Sequence, residues 1–261
     1  MTLKLHIGNY IFAPKLIITL LAVICIPILI SLGFWQLDRA DEKRVIDAGV
    51  NDAIKKAALN LNEADLTQID KEIYRTGLLS GQYEREQFLL DNRTHKGRPG
   101  YHVISPFVFE QKTANKSLNY AVLINRGWIS YNGTRDQITD ISIENKIVEI
   151  TGSIKRIPRS IVLKKQQGMN KSDSFTFNTN GKPLNNVDLI QSIDLGNLNN
   201  TLKYELLPVI IELDETKENG FIREWQPYYG SIDKHNAYAV QWFAMAAILL
   251  FLFLKLNIRK N

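Results

Sequence analysis

Leu16–Leu37, LIITLLAVICIPILISLGFWQL, decides how this chain is organised, because it runs for 22 residues without a charged side chain. At the helical rise it is roughly 33 Å long, enough for a hydrocarbon core of about 30 Å. Pro27 in its middle is tolerated in a membrane helix, where neighbouring groups re-satisfy the freed carbonyl. A cleaved signal peptide would have a shorter apolar stretch and a small-residue cleavage site after it. This stretch ends instead on Phe34-Trp35-Gln36-Leu37 and then on charge, the pattern of an aromatic belt at a lipid–water boundary. It reads as an uncleaved transmembrane helix.

A second apolar run lies near the other end. Ala237–Leu254, AYAVQWFAMAAILLFLFL, is 18 uncharged residues, about 27 Å as a helix. Tyr228, Tyr229, Tyr238 and Trp242 gather at its amino end as interfacial anchors, and Lys255, Arg259 and Lys260 follow it as a stop-transfer end. A buried core helix is the competing reading, and the basic end counts against it. The flanks 1–15 and 255–261 carry bases and no acid, so both are expected in the cytoplasm. Residues 38–236 are then expected on the far side, as a periplasmic domain. The mixed run Asp38-Arg39-Ala40-Asp41-Glu42-Lys43-Arg44 carries three bases and three acids and leaves that orientation in place.

Charge distribution excludes a nucleic-acid role. Lys4, Lys15, Lys255, Arg259 and Lys260 account for the whole formal net charge of +5. Residues 38–236 balance at 27 basic against 27 acidic side chains, with no excess to replace counterions along phosphates. The single cysteine, Cys25, lies in the first apolar run, so the middle domain is expected to hold together without disulfides. The short flanks leave no room for a cytoplasmic output domain, which argues against a sensor.

Residues 38–60 read as a helical continuation of the first span, with Ala40, Ile46, Ala53, Ile54 and Ala57 near one stripe. From 71 to 225 the texture is β. Val148, Ile150, Gly152 and Ile154 alternate with polar residues as a half-buried strand. Further strands are expected at 72–79, 84–92, 101–109, 119–129, 173–178, 207–213 and 221–225, with Pro208 marking an edge or a strand start. Gly97-Arg98-Pro99-Gly100, Asn132-Gly133, Asn180-Gly181 and Asn219-Gly220 are turn signals, and Tyr101 is expected to pack under the first. The predicted fold is membrane α+β: two transmembrane helices flanking an antiparallel β-rich domain, barrel-like or sandwich-like. Residues 156–200 are polar, Asn-rich and illegible.

Common catalytic signatures are missing. There is no Gly-rich phosphate loop, no G-x-S-x-G elbow, and no Cys or His spacing suited to zinc. Three methionines and one cysteine do not make a copper site. No zinc or copper site is expected on these residues.

One place brings ionisable chemistry to the membrane boundary. His235 stands at the outer end of the second run and shares a helical face with Tyr238 and Trp242. An imidazole flanked by aromatic rings at that depth suits an axial haem ligand: iron takes a nitrogen, the porphyrin packs on apolar surface, and its propionates stay near water. The same stripe, continued through Met245 and Leu249, equally suits helix-on-helix packing.

Several ordered blocks resemble the Surfeit locus protein 1 family, assembly factors for haem-copper cytochrome c oxidase. Gly33-Phe34-Trp35-Gln36-Leu37-Asp38-Arg39 is similar to its G-x-W-Q-x-x-R block. Asp91-Asn92-Arg93, Gly97-Arg98-Pro99-Gly100-Tyr101-His102-Val103 and Pro106-Phe107 resemble its G-x-P-G-Y segment. Val122-Leu123-Ile124-Asn125-Arg126-Gly127-Trp128 resembles its V-x-V-N-R-G-W strand, and His235 through Phe243, with Tyr238, Ala239, Gln241 and Trp242, its second-helix signature. Residues 130–205 carry no resemblance, and the amino end lacks the Arg- and Ser-rich transit peptide of mitochondrial members, which implies a bacterial inner-membrane protein.

The resemblance implies a biogenesis factor, chaperone-like rather than enzymatic, that helps haem A reach oxidase subunit I. Partners would be that subunit, other assembly factors or haem A synthase, and the lipid bilayer. His235 would be the iron ligand, with Tyr238, Trp242 and Trp35 walling the haem and Arg39 near a propionate. Gly33, Gln36, Gly97, Pro99, Gly100, Tyr101, Arg126, Gly127, Trp128 and Gln241 are the remaining motif positions. Two alternatives stay open at this point: a docking protein for oxidase subunits that never holds haem, and a membrane-tethered periplasmic enzyme.

Overall fold

The computed structural model describes residues 5–7, 10–113, 116–157, 176–202, 204–225 and 231–260. Tyr228 and Tyr229 lie outside them, as do residues 173–175 of one expected strand. The elements begin β1 (Leu5–Ile7), β2 (Tyr10–Phe12), α1 (Leu16–Lys55), β3 (Leu59–Asn60), a 3-10 turn (Leu66–Lys71), β4 (Thr76–Tyr83) and β5 (Gln87–His95). They continue β6 (Arg98–Thr113), β7 (Lys116–Ser130), β8 (Ile147–Arg156), β9 (Asn178–Thr179), β10 (Lys182–Pro183) and β11 (Val187–Ile190). The last are α2 (Leu195–Thr201), β12 (Glu205–Leu213), α3 (Ile232–Asn257) and β13 (Ile258–Lys260). Two compact units result, one drawn from residues 1–51 and 228–261, the other from 52–227.

In the first unit, α1 and α3 are both long and apolar enough to cross a membrane. Most of their apolar side chains point away from the protein, among them Leu16, Ile17, Leu20, Val23, Val240, Ile248 and Phe251. Water penalises so large an apolar surface. Apart from Val50, the few buried positions are small or polar: Ala22, Gly33, Gln36 and Ala40 on α1, and Ala239, Ala246 and Asn257 on α3. Small residues let helix backbones approach closely, which is how helices associate where lipid removes the hydrophobic drive between them. A Cβ on Gly33 would lie 2.5 Å from the Phe243 ring, so glycine sets the spacing. The two chain ends are tied by a small antiparallel sheet, β1–β2–β13, that the basic tails did not advertise. Asn257 anchors it, accepting from the Lys15 backbone amide at 3.1 Å and donating to the Phe253 carbonyl at 2.7 Å.

The second unit is a closed barrel. β4 pairs with β8, β8 with β12, β12 with β7, β7 with β6, and β6 returns to β4. β4 and β5 act as one bent strand along β6, with the bend between Tyr83↔Phe107 and Phe88↔Ile104. Gly81 permits the close approach, since a Cβ there would overlap the Val108 carbonyl oxygen. Taken in this way, the neighbour order matches that of an OB-fold barrel, a scaffold whose function is decided by its sites.

The sheet is not wholly antiparallel, which corrects the sequence expectation. β12 runs parallel to β7, and β11 parallel to β5. Alternating directions cannot close a ring of five strands, so one neighbouring pair must be parallel. Pro208 is also corrected: β12 has a neighbour on each side, and Pro208 falls between Leu206 and Ile210, where the register of β12 against β7 breaks. A residue without an N–H is accommodated at such a break.

Side chains from all five strands fill the ring, including Leu79, Tyr83, Phe107, Phe109, Val122, Ile124, Ile150, Ile154, Val209 and Ile211. β8 alternates as its sequence reads. β6 and β7 do not, because Val108, Ala121 and Leu123 pack on the outer face beneath Leu198 and Leu202 at α2. Strands buried on both faces read as continuous apolar runs.

Element ends moved for local reasons. The helix expected to residue 60 stops at Lys55, and Leu59 joins a short parallel pair with Gly77. The strand expected at 72–79 begins at Thr76, because Asp65 caps the preceding 3-10 turn and Tyr74 takes a left-handed φ of 71°. Among the described residues, segment 221–225 makes one bridge, Trp128↔Ile222. In the β5–β6 hairpin, Lys96 and Gly97 form the turn, with φ of 48° and 77°. Pro99 and Gly100 are already in β6, which corrects their reading as turn residues.

Candidate functional site

On the helix pair, His235 lies in the first turn of α3, half-buried, with Nδ1 2.7 Å from Gln36 Oε1. Gln36 is itself buried, on the stripe shared with Gly33 and Ala40. Two helical turns of α1 beyond Gln36, Arg44 donates to Asn236 Oδ1 at 3.1 Å. Ala239, Phe243 and Ala246 continue the packing face, and Phe243 meets Phe34 edge-on at 5.3 Å. Tyr238 is exposed and Trp242 half-buried, flanking that face rather than filling it. Trp35 is exposed on α1, with the Arg39 guanidinium 5.8 Å over its ring and paired to Glu42 at 2.7 Å. Gln241 faces outward.

On the barrel, the remaining motif blocks converge around Arg126. This side chain is only 2% exposed, and burial pushes its pKa down to about 10. Its charge is spread over neutral acceptors: the Asn219 carbonyl at 2.7 Å, the Ile141 carbonyl at 2.8 Å and Gln87 Oε1 at 3.2 Å. The Phe221 and Tyr83 rings cover its faces, 4.9 and 5.8 Å away. Burial drives the Tyr83 hydroxyl up to about 12, and it finds no hydrogen-bond partner among the described residues.

Next to it, Gly127 adopts φ of 115°, and a Cβ there would sit 2.7 Å from the Ile222 carbonyl oxygen. That oxygen accepts from the Trp128 amide at 2.8 Å, so Gly127 lets segment 221–225 lie against the strand end. Trp128 donates from Nε1 to the Arg93 carbonyl, and its ring packs on Gly100, where a Cβ would come within 2.6 Å. Tyr101 is fully buried and bonds the Arg135 carbonyl, while Arg135 pairs with Asp91. These residues clamp loops onto the barrel end.

His102 belongs to this clamp, a role its sequence context did not announce. The Gly127 amide donates to Asn125 Oδ1 at 3.2 Å, which turns Asn125 Nδ2 toward His102 Nδ1 at 2.9 Å. Nδ1 must then accept, leaving the proton on Nε2. Burial, with the charges of Arg93 and His95, lowers its pKa to about 4, so the ring is neutral. Its one basic nitrogen is used, and the Trp225 ring crosses it edge-on at 5.9 Å. His95 leans on Trp128 at 5.2 Å and lies 3.9 Å from Glu224. No three His, Cys, Asp or Glu side chains gather as metal ligands among the described residues.

The structure therefore separates the sequence-singled residues into two groups. Gly33, Gln36 and His235 meet on the helix pair; Gly100, Tyr101, Arg126, Gly127 and Trp128 meet on the barrel. Sequence reasoning missed the Gln36–His235 pairing, although a lone amide inside an apolar boundary segment was a usable signal.

The SURF1 family model matches residues 23–247, from within α1, across the barrel, to within α3. A SURF1-like protein of Rickettsia felis is 26% identical over 218 residues, covering 72% of this chain and 88% of its own length. One from Rickettsia conorii is 26% identical over 210 residues, covering 71% and 82%. One from Rickettsia prowazekii is 25% identical over 233 residues, covering 87% and 84%. With the model matching most of its length, the chain belongs to the SURF1 family.

Proposed function

We propose that this chain is an inner-membrane assembly factor for haem-copper cytochrome c oxidase that holds haem A at His235 on the way to subunit I. The family links the chain to oxidase assembly. The observation supporting the finer reading is the state of His235. It is half-buried where the apolar stretch of α3 begins, Nδ1 is engaged, and Nε2 makes no hydrogen bond among the described residues. The exposed rings of Trp35 and Tyr238 offer flat apolar surface, which suits a porphyrin.

When bound, the haem supplies an iron that takes one nitrogen ligand. His235 Nε2 would be the nitrogen to take it, Trp35, Tyr238 and Trp242 would pack on the ring, and Arg39 would meet a propionate by exchanging Glu42. Both chain ends lie in the cytoplasm and the barrel in the periplasm on this reading, supported by the acid-free basic tails. The barrel faces subunit I, haem A synthase or other assembly factors.

Deleting the gene in its own bacterium and measuring membrane haem a and each respiratory activity tests the assignment. Loss confined to oxidase haem and activity, restored by the wild-type chain but not by His235→Ala at equal membrane abundance, is the expected result. Intact oxidase after deletion overturns the assignment. Full rescue by His235→Ala would favour docking without haem.

A further inference from the structure

We infer that Gln36 is the positioning residue for His235: it holds the proton on Nδ1 and so keeps Nε2 as a lone-pair donor aimed away from the helix contact. The inference rests on the haem reading above and deepens it.

The geometry is specific. Gln36 is 9% exposed within an otherwise apolar stripe, where an amide left without a partner is costly. Its carbonyl oxygen can only accept, and it lies 2.7 Å from His235 Nδ1. Nδ1 must therefore donate, which leaves Nε2 unprotonated. Metal-bound histidines have this arrangement: the second ring N–H is given to an oxygen, which fixes the tautomer, stops ring rotation and raises ligand basicity. His102 shows the contrast, since Asn125 donates to its Nδ1 and puts the proton on Nε2. One chain thus holds two histidines in opposite tautomers, each set by a neighbouring amide. The Gly33–Phe243 contact, one turn before Gln36 on α1 and two turns after His235 on α3, keeps the helices near enough for this bond.

A neutral amide also suits the location. Glutamate would accept as well, but at a lipid boundary its charge costs more to bury. Gln36→Glu should therefore keep the tautomer, whereas Gln36→Leu and Gln36→Met remove the acceptor.

The test uses the full chain in detergent micelles, with 15N-labelled histidine and no haem, at pH 8. The wild type and Gln36→Glu are expected to show His235 with Nδ1 protonated and Nε2 bare. Gln36→Leu and Gln36→Met should shift it toward the Nε2–H form. Haem titrated into the same samples should bind about 10–100-fold more weakly to Gln36→Leu and Gln36→Met, with Gln36→Glu near wild type. An unchanged tautomer in both Gln36→Leu and Gln36→Met overturns the inference. If His235→Ala abolishes haem binding while Gln36→Leu binds normally, positioning fails and the haem reading stands. If His235→Ala binds haem like the wild type, the haem reading fails, whatever the tautomer shows.

Discussion

Gly127→Ala should be among the more damaging single-methyl additions to the barrel. The backbone there has φ of 115°, which costs a side-chain-bearing residue on the order of 1–3 kcal/mol. The new Cβ would also sit 2.7 Å from the Ile222 carbonyl oxygen and 2.9 Å from Arg223 Cγ. The side chain can yield, but the carbonyl cannot do so without loosening its 2.8 Å bond from the Trp128 amide, worth about 0.5–1.5 kcal/mol. The sum is about 1.5–4.5 kcal/mol. Gly133→Ala is the matched control, with φ of 89° and nothing within 4 Å, so it bears the backbone cost alone. Denaturant unfolding of the full chain in detergent, followed by fluorescence of the barrel's Trp128 and Trp225, compares them. Equal losses for the two variants, or less than about 1 kcal/mol for Gly127→Ala, would refute the claim that Gly127 exists to admit segment 221–225.

Other consequences are as direct. The folded pKa of His102, about 4, lies below its ordinary 6.5, so the unfolded chain holds the proton more tightly and stability falls as pH drops from about 6.5 toward 4. The loss approaches about 3 kcal/mol at the acid end, and His102→Gln should flatten that part of the stability–pH curve in pH-dependent unfolding. Tyr83→Phe should leave stability unchanged or raise it by about 1 kcal/mol in chemical denaturation, since it deletes a buried hydroxyl without a hydrogen bond among the described residues. Gly33→Leu should separate the helix pair and lower the melting temperature in detergent, and adding Phe243→Ala should recover part of it, because the two groups contend for one space.

What was legible in the sequence follows from range. The two apolar runs are local signals, and lipid dimensions read them without reference to the rest of the chain. β8 was legible because one face is wet and its alternation shows. β6 and β7 gave no alternation, because Phe107 and Val108 are both buried, on opposite faces of one strand. The parallel β7–β12 pair follows from the parity of a closed ring, and ring closure is not written in any window. Pro208 obeyed its usual rule by a bulge rather than an edge. At the site, His235 stood out as an imidazole at the edge of an apolar run. Its partner Gln36 did not, because the hydrogen bond joins residues 199 positions apart. Arg126 and His102 could not be told from surface residues, since their burial is created by loops that fold over them.

The central claim is that an imidazole at the boundary of α3 carries iron. It is tested most directly by purifying the full chain from a host that makes haem A and recording its absorption spectrum and haem-to-protein ratio beside those of His235→Ala. The account predicts near-stoichiometric haem with a histidine-ligated spectrum in the wild type and its loss in the variant. Equal haem content and an identical spectrum in both would contradict it.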